Sequence, residues 1–405
     1  MEVEVALQGG AVGRASAPSG ASTGRHEAHE LRDGDPSAHV GRGVQKAVTA
    51  VNSEITRTLA GKDASNQPEI DALMRALDGT ESLDRLGANA VLPTSLAVCR
   101  ASASAQAMPL YRYIALLSGN GNPSMPMPMV NILSGGAHAT HGMDLQDFLV
   151  APIGARSFDE ALRMVFDVRR AADKVLARYG LPTLLADEGG LSPGCKRVTD
   201  ALDLMVEAMQ TAGLRPGRDA AIAIDIAASG LFVAGKYELR NESVRLSSGD
   251  MIASVLEWRR SYPVMSVEDA LHEDDWDGWS KLTSAAVGLQ VVGDDLFATN
   301  VARIQKGIRI GAANTVLIKL NQNGTLSGTL DAMAQARRGG FATIVSARSG
   351  ETEDSFIADL AVGTSAGQIK IGSVRTSERM AKYNQLVRIG EDMSVSYAIA
   401  RSDKK

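Results

Sequence analysis

The first residues of the chain have their apolar side chains at every second position, which is the pattern of a half-buried strand. Val3, Val5 and Leu7 carry this alternation, and a Gly-Gly pair then marks a turn into a second short strand at 11–15. Further along, the apolar spacing changes to three and four residues, which predicts helices at 44–59, 70–77 and 90–107. Residues 1–115 are therefore expected to form an α+β domain.

A proline-rich break at 123–128 precedes a different pattern, in which short apolar runs alternate with segments of helical period. The runs with strand character are 130–133, 148–151, 183–185, 221–226, 264–267, 290–292, 315–318 and 343–346. The helical segments between and after them include 157–179, 201–212, 251–260, 326–338 and 355–361. This alternation predicts an α/β fold in which parallel strands close a TIM-like barrel over 125–390, followed by a tail at 391–405.

Composition narrows the classes of protein to consider. Hydrophobic residues make up 44% of the 405 residues, too many for a disordered chain, and the net charge of −5 gives no electrostatic case for nucleic acid. No run of about 18 apolar residues could cross a membrane, and the first residues lack the plan of a signal peptide. Cys99 and Cys195 form no C-x-x-C pair, so we expect a protein of the reducing cytoplasm.

Acidic residues follow three successive strands of the predicted barrel. Asp225, Glu268 and Asp294 each come at the end of an apolar run, where the strands of such a barrel present their catalytic residues. Taken singly, each acid has an alternative role as the N-cap of the following helix. Three in succession favour a cation site, and oxygen ligands without histidine or cysteine suit Mg²⁺.

The next strand ends in Lys319, a lysine placed beside the predicted cation site. Nearby Mg²⁺ disfavours a charged ammonium, so this lysine could lose its proton and act as a base on a carbon next to a carboxylate. Upstream, Glu188 is followed by two glycines that predict an open loop accessible to substrate. Glu188 is therefore the candidate general acid.

Two further segments suggest how an anionic substrate is held. Arg348 lies among serines and a threonine after the run 343–346, and this chemistry suits bidentate binding of a phosphate. The small-residue stretch 18–24 predicts either a linker or a flexible loop that folds over the site. A small anionic phosphoester is the expected substrate.

With these residues assembled, the chain resembles the enolase family along nearly its whole length. The motifs are SGASTG (19–24), ELRDGD (30–35), LGANA (86–90), GGAHA (135–139), DEGG (187–190), EDDW (273–276), KLNQ (319–322), SGETED (349–354), GQIK (367–370) and KYNQL (382–386). The resemblance implies an α+β N-terminal capping domain, an enolase-type (β/α)8 barrel and a homodimer. It also implies two Mg²⁺ ions per site and a phosphocarboxylate substrate whose enolate the ions stabilise.

The resemblance also assigns roles to individual residues. It implies that Asp225, Glu268 and Asp294 are metal ligands, that Lys319 is the base and that Glu188 is the acid. It further implies that Ser22 reaches a second Mg²⁺ from the mobile loop. The residues matching substrate-contacting positions are His138, Gln146, Asp147, Arg348, Ser349 and Lys370, with Lys370 near the carboxylate and Arg348 and Ser349 at the phosphate.

Several positions depart from the pattern of the family. Ala347 stands where members ordinarily carry histidine, and Asp147 is one methylene shorter than the usual glutamate. The first strand of the family pattern precedes Val3 and is absent from this sequence, while the tail after Arg388 diverges. The changes surround the expected pocket, whereas the metal ligands and Lys319 are retained.

Three functions fit this combination. The first is an authentic enolase that dehydrates 2-phosphoglycerate to phosphoenolpyruvate. The second is a diverged enzyme resembling carboxyphosphonoenolpyruvate synthase, which would handle a phosphorus group bearing a carboxylate in the space opened by Ala347. The third is a non-catalytic enolase-like binding protein, against which the retained metal ligands argue.

Overall fold

The computed structural model describes residues 1–20, 24–139, 142–392 and 394–397. The chain opens with two antiparallel strands, β1 (Glu2–Ala6) and β2 (Val12–Ser16), paired in one register from end to end. The helices that follow are α1 (Gln45–Ala50), a π-helical turn (Val51–Ile55), α2 (Thr56–Leu59), α3 (Gln67–Asp78), α4 (Ala88–Ala105) and α5 (Leu110–Leu117). The predicted hairpin and helices are therefore present.

The remaining strands run from β3 to β15. They are β3 (Ser124–Met125), β4 (Met127–Ser134), β5 (Asp147–Ala151), β6 (Ala221–Asp225), β7 (Phe232–Val233), β8 (Lys236–Leu239), β9 (Val244–Leu246), β10 (Val264–Glu268), β11 (Gln290–Gly293), β12 (Thr315–Ile318), β13 (Ala342–Ser346), β14 (Gly367–Gly372) and β15 (Ser396–Tyr397). The remaining helices are α6 (Phe158–Arg178), α7 (Val198–Thr211), α8 (Ser248–Ser261), α9 (Trp276–Ala285), α10 (Val301–Ile310), α11 (Leu320–Asn323), α12 (Leu326–Arg338), α13 (Phe356–Gly363) and α14 (Ser377–Gly390). Short 3-10 helices lie at His39–Gly41, Gly136–His138 and Ala228–Leu231.

Eight of these strands close into a barrel in the order β10-β11-β12-β13-β14-β4-β5-β6. The α/β fold with a TIM-type barrel is thus confirmed. One detail differs from the prediction, because β5 runs antiparallel to both neighbours while the other pairs are parallel. The described residues of the connection from β4 to β5 contain a short 3-10 helix (Gly136–His138) in place of a crossover α-helix, so the alternation of strand and helix starts only after β5.

The predicted list of strands contained one wrong member and omitted one. Residues 183–185 are not a barrel strand, because Leu185 makes only an isolated bridge to Leu191. The omitted strand is β14, in which Gln368 and Lys370 alternate with isoleucines and interrupt any apolar run. Polar side chains, Gln368 near the start of β14 and Lys370 closer to the mouth, therefore concealed a strand that is buried from Ile369 onward.

An apolar layer closes the inside of the barrel beneath the mouth. Its six side chains, from six different strands, form a cluster separate from the main core between barrel and helices: Met129, Leu149, Ala223, Val292, Leu317 and Ile344. Such a filled interior makes the barrel a packed core and leaves its carboxyl end as the site for chemistry.

The N-terminal hairpin packs against α4, which is buried on nearly every side. At Gly13 the backbones come so close that an added Cβ would lie 2.1 Å from the carbonyl oxygen of Ala97. Contacts that tie this part of the chain to the barrel include the pairing of Ser19 with Gly350, the ion pair of Arg100 with Asp354 and the packing of α11 on α4. The division into domains at 1–115, 125–390 and 391–405 stays a prediction.

Among the described residues, none of the helices combines the length and apolar character needed to span a bilayer. The strand β15, near the end of the described chain, pairs in parallel with β3. The remaining small sheet follows β6 in the chain and consists of the three antiparallel strands β7, β8 and β9.

We expect Gly13→Ala to destabilise the protein, because the new methyl group would meet the backbone of α4 and force β2 outward. Overpacking of this kind costs about 1–3 kcal/mol in unfolding free energy. Gly9→Ala is the matched control, since nothing lies within 4 Å of a Cβ at that turn position. Urea denaturation of the three proteins checks this, and equal midpoints for Gly13→Ala and wild type would contradict the close contact.

Candidate active site

The carboxyl ends of the barrel strands bring the predicted acids and lysines to one edge. Asp225 and Glu268 are the last residues of β6 and β10, and these two are paired across neighbouring strands. Asp294 directly follows β11 and Lys319 directly follows β12, while Lys370 lies within β14. The order of the strands around the barrel, and not their order in the sequence, decides which of these side chains meet.

Lys370 lies between the first two acids. Its Nζ is 2.7 Å from Asp225 Oδ2 and 2.9 Å from both carboxylate oxygens of Glu268, and all three side chains are buried. Gln146 also donates to Asp225 Oδ2, over 3.1 Å. Burial alone would lower the pKa of Lys370, but the surrounding carboxylates hold it well above its ordinary value. Lys370 is therefore charged and serves as counter-ion to two predicted metal ligands.

Lys319 makes the second such contact, with Asp294 Oδ2, and Gln322 donates to the other oxygen of Asp294 over 2.7 Å. Burial opposes the charge on Lys319, yet the Asp294 carboxylate raises its pKa above the ordinary value. Without ligands, Lys319 is thus an ammonium and cannot accept a proton. A divalent cation on Asp294 would compete for that carboxylate and lower the pKa of Lys319.

The acids at this edge carry more negative charge than the two lysines balance. Burial and the neighbouring Asp225 raise the pKa of Glu268 well above its usual range, and burial beside Asp294 raises the pKa of Asp295 to about 7. Carboxylate oxygens of Asp269, Asp294 and Asp295 lie within 4.8 Å of one another. Crowded, buried oxygen donors of this kind fit a hard divalent cation.

Asp269 and Asp295 were not among the predicted ligands, and Asp269 has a structural function. Its carboxylate accepts the backbone N–H groups of Asp294 and Asp295, each over 2.9 Å. It therefore fixes the chain that follows β11, and with it the position of Asp294. The paired acids in the sequence at 268–269 and 294–295 were the only indication of this arrangement.

A second group of charges lies around His138. Its Nδ1 is 3.1 Å from Asp147 Oδ2 and its Nε2 is 4.0 Å from Glu188 Oε1. Burial opposes the imidazolium, but the carboxylates, chiefly Asp147, raise the pKa of His138 to about 9. The other oxygen of Asp147 accepts from Asn131 and Ser134 on β4. Asp147 is thus held beside the imidazole of His138 and favours its protonated form.

The expectation that Glu188 stands on an open loop is wrong. Its residue is 5% exposed, and its backbone carbonyl accepts from Ser373 at the end of β14. The glycines serve close packing, since a Cβ at Gly190 would lie 2.4 Å from Ser134 Oγ. Burial alone would raise the pKa of Glu188, but His138 and other buried cations hold it below its usual value. Glu188 is therefore ionised in the protein without ligands.

Arg348 reaches the same mouth from the loop after β13. Its Nη1 donates to Glu27 Oε2 over 2.7 Å and to Asn321 Oδ1 over 3.3 Å, and its side chain is 4% exposed. Buried Arg379 holds this loop by donating to the carbonyls of Arg348 and Ser349. The predicted metal residue Ser22 lies outside the described residues.

Sequence reasoning missed Glu27. It lies three residues after the SGASTG motif (19–24), but no spacing pairs it with an arginine 321 positions later. Arg379 and Lys382 were missed as supports for the same reason. Both are fully buried on α14, and Lys382 lies 2.9 Å from Glu351 Oε2 in the loop that carries Arg348.

We expect Asp147→Asn to lower the pKa of His138 from about 9 towards its ordinary 6.5, because the main charge favouring the imidazolium is lost while burial remains. NMR titration of the imidazole in metal-free protein measures this, with His138→Gln used to assign the resonance. Asp144→Asn is the control, since that carboxylate accepts only from residues 240 and 241 among its described contacts. An unchanged His138 titration in Asp147→Asn would contradict the ion pair.

Comparison with protein families agrees with this geometry. A model described as "Enolase, N-terminal domain" matches residues 1–114, and one described as "Enolase, C-terminal TIM barrel domain" matches residues 122–404. Together they cover nearly the whole chain, and they favour the two enzymatic hypotheses over a binding protein. The chain belongs to the enolase family and is an enolase-family lyase.

Proposed function

We propose that the protein catalyses Mg²⁺-dependent elimination of water from a small phospho- or phosphono-carboxylate by way of an enolate. The observation that carries this proposal is the placement of Lys319 and Lys370 in one buried mouth with three carboxylates. Lys319 is the proposed base once a cation on Asp294 lowers its pKa, and Lys370 is the proposed fixed positive charge. Two bound Mg²⁺ ions, with Asp225, Glu268 and Asp294 as ligands of one, would supply charge that stabilises the dianionic carboxylate of the enolate.

The proton leaves first. Lys319, in its neutral form, takes the hydrogen from the carbon next to the substrate carboxylate, and the electron pair of the C–H bond moves into the enolate. The C–O bond to the neighbouring hydroxyl then breaks as the carbon–carbon double bond forms. Glu188 donates a proton to the departing hydroxyl, which leaves as water. The substrate's negative charge supplies the rise in pKa that Glu188 needs for this step.

The other predicted residues position the substrate. Lys370 is the proposed partner of the substrate carboxylate, supported by its charge and its place beside Asp225 and Glu268. Arg348, Ser349 and His138 are proposed to surround the phosphorus group and the leaving hydroxyl, with Gln146 beside them. Ser22 is proposed to reach the second Mg²⁺.

We further propose that the site is specialised toward forming carboxyphosphonoenolpyruvate. Ala347 directly precedes Arg348 and offers only a methyl group where related enzymes ordinarily present an imidazole. A phosphorus group in which a carboxylate replaces one oxygen would fit the freed space. Asp147, held by Asn131 and Ser134, is a second departure from the family pattern among the residues proposed to contact substrate. Authentic dehydration of 2-phosphoglycerate is the alternative, favoured by the arrangement of Lys319, Lys370 and Asp294.

Membership of the enolase family also suggests the oligomeric state, the domain organisation and the cellular location of the protein. We propose a cytoplasmic homodimer in which residues 1–115 form a capping domain, 125–390 the catalytic barrel and 391–405 a divergent tail. The net charge of −5 gives no support for a nucleic-acid partner, and a membrane partner is not part of the proposal.

We expect Lys319→Ala to lower turnover by about 10²–10⁴-fold, because the base is lost while the acids remain. Exchange of the substrate's α-hydrogen in D₂O, followed by NMR, should be lost to the same extent. Lys281→Ala is the matched control, since that lysine is exposed on α9. Unimpaired hydrogen exchange in Lys319→Ala would remove Lys319 as the base.

We expect the wild-type enzyme with Mg²⁺ to prefer a glycerate ester whose phosphorus carries a carboxylate over 2-phosphoglycerate. Restoring a donor with Ala347→His should raise kcat/KM for 2-phosphoglycerate by about tenfold or more and lower it for the bulkier substrate. Absorbance of the enol product reports both reactions, and Ala347→Leu controls for bulk without a donor. Vigorous wild-type turnover of 2-phosphoglycerate would favour the authentic enolase.

A further inference from the structure

A buried ion pair joins the N-terminal part of the chain to the proposed anion-binding arginine. Glu27 Oε2 lies 2.7 Å from Arg348 Nη1, and the two side chains are only 5% and 4% exposed. Each group loses most of its hydration on burial, so the pair depends on the contact between them. The guanidinium that we propose as the binding group for the substrate's phosphorus group thus already donates a hydrogen bond to a carboxylate of the protein.

The same carboxylate holds its own segment in place. Glu27 Oε1 accepts the backbone N–H of Gly24 over 2.9 Å and lies 3.4 Å from Gln322 Nε2 on α11. The next residue, Ala28, donates its backbone N–H to the carbonyl of Gln322 over 2.8 Å. Residues 24–30, which we call the 24–30 segment, are therefore seated on the barrel mouth through Glu27 and its neighbour.

Glu27 also sets the charge of the arginine. Burial opposes the guanidinium charge, but the Glu27 carboxylate, with smaller contributions from Asp294 and Asp295, raises the pKa of Arg348 above its ordinary value. A lone anion that approaches Arg348 therefore meets a charge that is already balanced at short range. An anion that also binds a second cation, such as Lys370 across the mouth, has a further source of affinity.

We propose that Glu27 is a specificity-determining residue, a built-in counter-charge that makes Arg348 select substrates with two anionic groups over simple anions. The proposal depends on the proposed role of Arg348 at the phosphorus group. The carboxylate lowers the affinity of the site for inorganic phosphate, while a phosphocarboxylate compensates through its second anionic group. Because the same carboxylate holds Gly24, binding at Arg348 is coupled to the seating of the 24–30 segment.

The direct test is Glu27→Gln, which keeps an acceptor of the same shape and removes only the charge. Titration calorimetry of the full-length, metal-free protein with inorganic phosphate measures the affinity without any turnover. We expect phosphate to bind Glu27→Gln at least about tenfold more tightly than wild type, because a neighbouring anion is gone from a buried cation. Adding Arg348→Gln to Glu27→Gln should abolish this gain.

Glu30→Gln is the matched control from the same segment. Glu30 pairs with Arg32 and accepts from Ser19, so its neutralisation should leave phosphate affinity unchanged. Unchanged or weaker phosphate binding by Glu27→Gln, or an equal gain in Glu30→Gln, would overturn the proposal. Failure of the proposed function is a separate result, since wild type would then not turn over either candidate substrate whatever its affinity for phosphate.

Discussion

The structure depends on the mutual neutralisation of buried charges at the mouth of the barrel. Carboxylates of Asp225, Glu268 and Asp294 lie where water cannot solvate them, and two lysines supply contacts in compensation. Removing one member of such a set leaves an unpaired buried charge, which is far more costly than the pair itself. The carboxylates outnumber the lysines at the mouth, and this surplus of acidic groups favours binding of a cation. A cation bound there would lower the pKa of Lys319.

The site spans two parts of the chain that fold from different patterns. The barrel contributes strand ends above an apolar interior layer, while the N-terminal part contributes Glu27 from a segment beside the hairpin. The backbone pairing of Ser19 with Gly350 and the ion pair between Arg100 and Asp354 hold the two parts together near the loop that carries Arg348.

The side chains of the candidate site are held in place by specific contacts with other buried residues. Asp269 fixes the backbone at Asp294 through two N–H groups, and Asp147 charges His138 from below. Arg379, on a helix late in the chain, holds the loop of Arg348 by its carbonyl groups. These contacts explain how flexible side chains are held in one geometry before any ligand is present, which lowers the entropic cost of binding.

Most of the fold followed from the sequence, because the strand runs and helical periods report burial residue by residue. The acids at the ends of β6, β10 and β11 and Lys319 after β12 were also found this way, since a barrel presents its strand ends at one edge. The same reasoning failed at β14, where polar residues interrupt the apolar pattern, and at Glu188, where glycines serve packing and not openness. Only tertiary structure decided which charges meet, because contacts such as Glu27 with Arg348 join residues hundreds of positions apart, and local patterns carry no record of that distance.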